Sequence, residues 1–469
     1  MTVNINELIK AIPWDDEADE APQQALDQLL RKLAHKSLPT GALNRFWVLG
    51  TLQAKIAAAY FVHWIRSWFA GLDEKERRLN ETHLKAALKL LGGMSYMRGA
   101  VMKLGQVLAN YPDVVPEQFA EILGRLHFEA PPMHFSLLRE LFRNELGSTP
   151  DEVFDDFETE AFAAASLGQV HRARLKGTGR RVAVKIQYPN IARTIRDDFR
   201  NMQALVLPMR MSSDWDNLRE QFEGIRQMLD LEVDYENEAR NMEIALNAFE
   251  EHEEVVIPRV YREFSTRRVL TMDYIDGVHL RHYLATNPSQ EERDRYGHLI
   301  ILSSFRLSYG KDLLHADPHP GNYFFMPDGR LGLIDFGSCC LYSKDDIDYM
   351  SECERAIEGS EEAINKSLAR AGDLTPRQAA EKERLRLFRE WAEWVWEPMR
   401  CEGPFDFGAP DYFQKGIQIY GDLLRRRFVR SLPLNVWLAK CFVGVRALLA
   451  RLDAHVDMRT IWKQETYVK

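Results

Sequence analysis

The chain has 469 residues, 45% of them apolar, and a formal net charge of −9. That length exceeds one hydrophobic core, so two lobes with extensions are expected. The acidic balance, with no basic stripe, argues against nucleic acid as a partner, and five cysteines without a C-x-x-C pair argue against a zinc site or a disulfide frame and fit a reducing cytoplasm.

Residues 1–40 are polar, acidic at Asp15-Asp16-Glu17, and expected to be mobile. They lack a basic start followed by an apolar run, so no signal or transit peptide is expected. Residues 41–149 read as a helical extension with breaks at Gly71, Gly92-Gly93 and Pro131-Pro132. Within it, Phe46 to Ala70 carries Trp47, Phe61, Trp64, Trp68 and Phe69, interrupted by Lys55, His63 and Arg66. That is an amphipathic segment, packed on the body or lying on a membrane surface, rather than a span. Further on, Lys103-Leu104-Gly105-Gln106 sits in a helical stretch, Met97 to Tyr111.

Residues 150–276 alternate short strands with helices. Strand signals fall at Ala161-Phe162, Gln169 to Leu175, Val182 to Gln187, Val255 to Val260 and Arg268 to Tyr274. Helical runs fall at Ile191 to Met211 and Leu218 to Ala248. Ahead of the second strand lies Ala163-Ala164-Ala165-Ser166-Leu167-Gly168, a loop stiffened because alanine resists positive φ. The strand Arg181 to Ile186 puts Val182 and Val184 on one face and Ala183 and Lys185 on the other, and Lys185 needs an acidic partner; the later helix offers Glu232, Asp234, Glu236 and Glu238. From 277 to 469 the pattern is mainly helical. The apolar run Leu434 to Ala450 is broken by Lys440 and Arg446, so it is not a convincing membrane anchor.

The most informative segment is His315-Ala316-Asp317-Pro318-His319-Pro320-Gly321-Asn322, followed by Asp335-Phe336-Gly337. Asp317 and Asn322 have the spacing of the H-R-D-L-x-x-x-N catalytic loop of kinases. Tyr323-Phe324-Phe325, a turn at Met326 to Gly329, and Arg330 to Ile334 read as a hairpin. A hairpin returns its ends together. It would set Asn322 beside Asp335, an amide and a carboxylate able to hold Mg²⁺ against the phosphates of ATP. Asp317 would then orient an attacking hydroxyl or water. Lys185 fits the V-A-I-K strand that contacts those phosphates. The segment Met272 to Gly277, with Asp273 and Ile275, stands where a hinge would meet adenine through its backbone. His315 is expected to fix the loop backbone, and His319 to hold the loop by a hydrogen bond. No A-P-E and no long activation segment follow Gly337, so a peptide platform is not expected.

In that order and combination the motifs resemble one family, the UbiB/AarF atypical kinase-like proteins that support coenzyme Q biosynthesis. The resemblance covers roughly Gly92 to Ser343. It rests on the K-x-G-Q at Lys103 to Gln106, the alanine-rich loop Ala163 to Ser166, Lys185, the E-x-D at Glu232-Val233-Asp234, the Asp317 loop and Asp335-Phe336-Gly337. It implies an α+β, protein-kinase-like bilobal fold with added N-terminal helices: N-lobe 150–276, C-lobe 277–469. It implies that Glu238 partners Lys185, and that Lys103 and Gln106 cover the active-site mouth with Glu232 and Asp234. Ala163, Ala164, Ala165 and Ser166 would line the nucleotide. The implied activity is Mg-ATP hydrolysis coupled to lipid biosynthesis. The implied partners are a quinone precursor or other isoprenoid lipid, other quinone-biosynthesis proteins and the inner membrane face, met peripherally from the cytoplasm. Two other readings stand beside it. One is a small-molecule or lipid phosphotransferase, a class that shares the loop but not K-x-G-Q and E-x-D. The other is a nucleotide-gated lipid-binding module without turnover.

Overall fold

The structure, a computed structural model, describes residues 135–466 apart from 166, 207–218, 220–222, 224–225, 228, 372–373, 375–377, 379–380, 427 and 429–432. The K-x-G-Q residues Lys103 and Gln106, the aromatic segment Phe46 to Ala70 and Ser166 lie outside the described residues. In chain order the elements are α1 (Phe135–Leu146), α2 (Pro150–Val153), β1 (Phe154–Phe157), β2 (Ala163–Ala165), β3 (Gly168–Leu175), β4 (Arg181–Gln187), α3 (Ile191–Val206), α4 (Tyr235–Ala248), β5 (Val255–Val256) and β6 (Val269–Asp273). There follow α5 (Leu280–Leu284), α6 (Gln290–Gly310), β7 (Leu313–His315), β8 (Tyr323–Phe325), β9 (Leu331–Leu333), β10 (Cys339–Leu341), α7 (Lys344–Ile357) and α8 (Glu361–Ala371). The chain ends with α9 (Lys382–Arg400), β11 (Phe405–Asp406), α10 (Pro410–Arg425), α11 (Pro433–Leu452), β12 (His455–Val456) and α12 (Met458–Thr466).

The chain divides into two compact units: 1–138, 161–169 and 187–230 form one; 139–160, 170–186 and 231–469 form the other. In the first, the amide of Tyr188 donates to Leu167 O, and α3 buries Ile191, Ile195 and Phe199 at i, i+4 and i+8, one helical face.

The second unit carries the sheet β1-β3-β4-β6. β4 pairs antiparallel with β6, Lys185 opposite Leu270 and Val182 opposite Asp273. Val182, Val184 and Ile186 are wholly buried on one face, while Ala183 and Lys185 are also buried on the other. Both faces of this strand are therefore covered, which an alternating pattern alone does not reveal. Three expectations need correction. The strand over Ala161-Phe162 forms two residues later, at β2, and β1 was not anticipated. The strand over Val255 to Val260 shrinks to β5 and leaves this sheet altogether: it runs parallel to β9, with Val255 opposite Leu331. Pro258 has no N–H to continue a ladder, and only an isolated bridge, Val260 to Met272, returns to β6. The single helix over Leu218 to Ala248 breaks at Val233-Asp234. There Asp234 turns to cap a new helix, its carboxylate accepting from the amides of Glu236 and Asn237 at 3.1 and 3.2 Å.

The remainder of this unit is built on α6, which opens with a capping box between Ser289 and Glu292. It buries residues around most of its circumference and packs against β7, α11, β12 and α12. The hairpin forms where the sequence places it: Tyr323 pairs with Leu333 and Phe325 with Leu331. Gly329 closes its turn at φ +84°, a conformation that favours glycine. A second small ladder, β7 with β10, pairs His315 with Cys339 and was not anticipated, nor was β11 with β12. α7 starts at Lys344, directly after β10, under a Ser343 cap, so no extended activation segment separates them. α11 covers the apolar run from Leu434 to Ala450, and Leu438, Cys441, Val445, Leu448 and Leu449 on it are buried core. Among the described residues no helix is long and apolar enough to cross a membrane.

Candidate active site

Three distant segments of the second unit deliver charge to one point. Lys185 projects from β4, Glu238 from the first turn of α4, and Asp335 follows β9. Lys185 Nζ donates to both carboxylate oxygens of Glu238, at 2.8 and 3.0 Å, and to Asp335 Oδ2 at 3.1 Å. The Tyr235 ring lies 5.0 Å from the same ammonium. Glu238 is 1% exposed and the Asp335 side chain 32%. Such charges are tolerable only when matched and hydrogen-bonded. Burial lowers the Lys185 ammonium, but the Asp335 and Glu238 carboxylates outweigh it and hold the group charged, well above the ordinary lysine value. Burial raises Glu238 to about 7 against the opposing pull of Lys185. Burial also raises Asp335, yet Lys185 and the Gly337 amide win, so its carboxyl falls below the usual range.

The backbone around Asp335 is fixed from several sides. Gly337 N donates to Asp335 Oδ1 at 3.0 Å. The carbonyl of Asp335 meets His315 Nε2 at 2.8 Å. Asn241, one turn beyond Glu238, donates to Phe336 O at 3.0 Å. Ser338 Oγ donates to Glu232 Oε1 at 3.0 Å. The E-x-D pair thus splits in two: Glu232 ties to the residue after Gly337, and Asp234 caps the helix that carries Glu238, with Arg267 3.8 Å away.

The catalytic-loop residues sit beside this cluster. Ile334 N donates to Asn322 O at 3.2 Å, which brings the two hairpin ends together. Asn322 Nδ2 donates to Asp317 O at 2.8 Å and to Asp317 Oδ2 at 3.0 Å. These bonds use the amide nitrogen, so the amide oxygen is the atom left to face a cation. His319 Nδ1 accepts from Gly321 N at 3.1 Å, the loop-holding role expected of it. Asp317 Oδ1 meets an unanticipated partner, Lys440 Nζ, at 2.8 Å. No local pattern links Lys440 to this loop; its only sequence signal is a charge inside an apolar helix.

Other expected residues are placed less directly. Asp273 ends β6; its amide donates to Arg259 O and its carboxylate accepts from Tyr261 Oη at 2.7 Å, so neither is turned to a ligand. Ile275 is buried, its side chain near Gly332. Ala163, Ala164 and Ala165 form β2 in the first unit. Among the described residues no group of three or more acidic, histidine or cysteine side chains converges as a metal cage. Magnesium in nucleotide sites uses few protein ligands and relies on phosphate oxygens, and Asn322 with Asp335 is a donor pair of that kind.

A lysine–glutamate pair between strand and helix, with an H-x-D-x-x-x-x-N loop and an aspartate at a hairpin end, defines a protein-kinase-like architecture. A profile of the ABC1 atypical kinase-like domain matches residues 125–368, and the chain belongs to that family. It is 32% identical over 333 residues to AarF domain-containing protein kinase 1 of Xenopus laevis, covering 69% of this chain and 63% of that protein. It is 30% identical over 319 residues to the chloroplastic protein ACTIVITY OF BC1 COMPLEX KINASE 8 of Arabidopsis thaliana, covering 64% of this chain and 41% of that protein. It thus spans less than two thirds of either relative. The solved structure of Rv3197 with erythromycin, from Mycobacterium tuberculosis, superposes with a TM-score of 0.54 at 28% identity, covering 85% of this chain and all of that one.

Proposed function

We propose that this chain is a kinase-like ATPase that binds Mg-ATP and supports isoprenoid-quinone or related lipid biosynthesis. The observation that carries the reading is the buried Lys185–Glu238–Asp335 cluster beside Asp317 and Asn322. Lys185, aimed by Glu238, contacts the phosphates. Asn322 Oδ1 and Asp335 would hold Mg²⁺, which when bound neutralises charge on the transferred phosphoryl group. Asp317 orients the water or hydroxyl that attacks. The enclosed cluster supplies preorganised charge, the main lever in this chemistry. The short path from Gly337 to α7 supports a non-peptide acceptor. The lipid setting, a quinone precursor met at a membrane surface, rests on the family resemblance, as do the roles of Lys103 and Gln106 over the mouth and of Ala163, Ala164, Ala165 and Ser166 along the nucleotide.

Thermal unfolding with ATP, with and without Mg²⁺, tests the site, together with ATP turnover in the presence of anionic liposomes. The wild-type chain is expected to be stabilised by Mg-ATP and to hydrolyse it, and Asp335→Asn to lose the Mg²⁺-dependent part. An undiminished Mg-ATP stabilisation in Asp335→Asn would remove Asp335 as a metal donor.

A further inference from the structure

α11 brings a second lysine to the catalytic loop. Lys440 Nζ lies 2.8 Å from Asp317 Oδ1, with both side chains 27% exposed. The other carboxylate oxygen, Oδ2, accepts from Asn322 Nδ2 at 3.0 Å. One turn along α11, on the same face, Gly444 is pressed against the next loop residue: a Cβ there would lie 2.5 Å from Pro318 Cγ. Asp317 and Pro318 are thus met by Lys440 and Gly444 of one helix face. The other side of this helix is buried core, so Lys440 is delivered by a fixed element rather than by a loop. A lysine in an otherwise apolar run carries a desolvation cost unless its charge is matched. Asp317 supplies that match.

We propose that Lys440 is a positioning residue: from the C-terminal helix it sets the orientation of the Asp317 carboxylate toward the nucleophile. This rests on the Mg-ATP reading of the site. Lys440 and Asn322 both hold the Asp317 carboxylate, and Asn322 has a second duty there through its amide oxygen. Lys440 is the anchor whose one acidic partner among the described residues is Asp317. A carboxylate oxygen offers two lone pairs, so Oδ1 can hold Lys440 and still face the nucleophile. Without Lys440 the carboxylate rotates more freely, and fewer bound complexes are aligned for attack. Nucleotide affinity depends on Lys185 and the metal donors, and it stays. The loss therefore falls on kcat and spares KM.

The test is steady-state Mg-ATP turnover by the full chain, with the Mg-ATP thermal shift measured in parallel. The variants are Lys440→Met, Lys440→Gln, Lys440→Arg and Gly444→Ala. Lys440→Met and Lys440→Gln are expected to lower kcat roughly 10- to 100-fold with KM changed less than about threefold. Lys440→Arg should recover most of the rate, because a cation again reaches Asp317. Gly444→Ala keeps the charge but pushes the helix off Pro318, and should lower kcat with KM likewise preserved. If Lys440→Met fails to fold, Lys440→Gln and Lys440→Arg decide. A kcat within about threefold of wild type for Lys440→Gln overturns the inference alone, as does a KM that rises as much as kcat falls, or an arginine variant no better than glutamine. A wild-type chain that neither binds nor hydrolyses Mg-ATP overturns the site reading, and this inference with it.

Discussion

Deleting either end of the Lys185–Glu238 pair should have unequal consequences, because the cluster holds one cation and two carboxylates. Lys185→Met leaves Glu238, 1% exposed, without its counter-charge, and Asp335 loses its partner at 3.1 Å. Removing one partner of a buried pair costs about 3–5 kcal/mol. Asp335 is about a third exposed and keeps the Gly337 amide, so the lower part of that range applies, about 3 kcal/mol. Glu238→Gln instead leaves Lys185 and Asp335 as a balanced pair, and the amide oxygen still accepts from Lys185. Its cost should be about 1 kcal/mol or less. In a chain above 250 residues each kcal/mol moves the Tm by roughly 2 °C or less, so the methionine variant should melt up to about 6 °C lower and the glutamine variant within about 2 °C of wild type. The pH dependence has a definite sign. Burial raises Glu238 to about 7, above its unfolded value. The stability linked to its proton is therefore fully present below the unfolded value and lost as pH rises through about 7. Removing Lys185 removes the group that lowers Glu238, so the wild-type-to-methionine gap should widen from pH 5 to pH 8. Glutamine has no such proton, so its melting point should gain on wild type over the same range. Thermal unfolding by circular dichroism from pH 5 to pH 8 measures both. Equal losses for the two variants, unchanged with pH, would refute the charge-balance argument.

Two further outcomes follow from the same geometry. Asp234→Ala removes the cap of α4 one turn before Glu238, and should cost about 1 kcal/mol with a fall in Mg-ATP turnover; an unchanged melting point would show that Asp234 does not cap in solution. Cys339 is buried, and burial pushes its thiol well above the ordinary value. Iodoacetamide on the native chain should spare Cys339 and label the partly exposed Cys401, which peptide mass spectrometry reads directly.

Much of the site was legible along the chain because its residues lie in short stretches with local geometry. Asp317 and Asn322 are one loop apart, and Tyr323 to Ile334 is a hairpin whose turn chemistry announces itself. Those features return Asn322 and Asp335 to one place without knowledge of the fold. The Lys185–Glu238 pair was reached through family resemblance, since residues Glu232, Asp234, Glu236 and Glu238 offer four acids at similar local cost. Tertiary structure selected among them. Asp234 turns away to cap α4, Glu232 takes Ser338, and Glu238, at the next inward position of the new helix, meets Lys185.

What the sequence by itself determined about this protein is therefore its local chemistry: the catalytic loop, the hairpin, the lysine strand and the apolar faces of its helices. These depend on spacing, backbone preference and side-chain period. Only the folded chain decided the pairings between remote segments. β5 pairs with β9 instead of its expected sheet, Pro258 has no N–H with which to extend it, and nothing near Val255 names Leu331 as its partner. Lys440 reads in sequence as a charge that spoils an apolar run. In the fold it is an ion-pair partner of Asp317, because α11 packs close enough for Gly444 to touch Pro318. Long-range contacts are set by which buried surfaces fit and which charges must be matched once water is excluded, and neither condition is written in any one stretch of the chain.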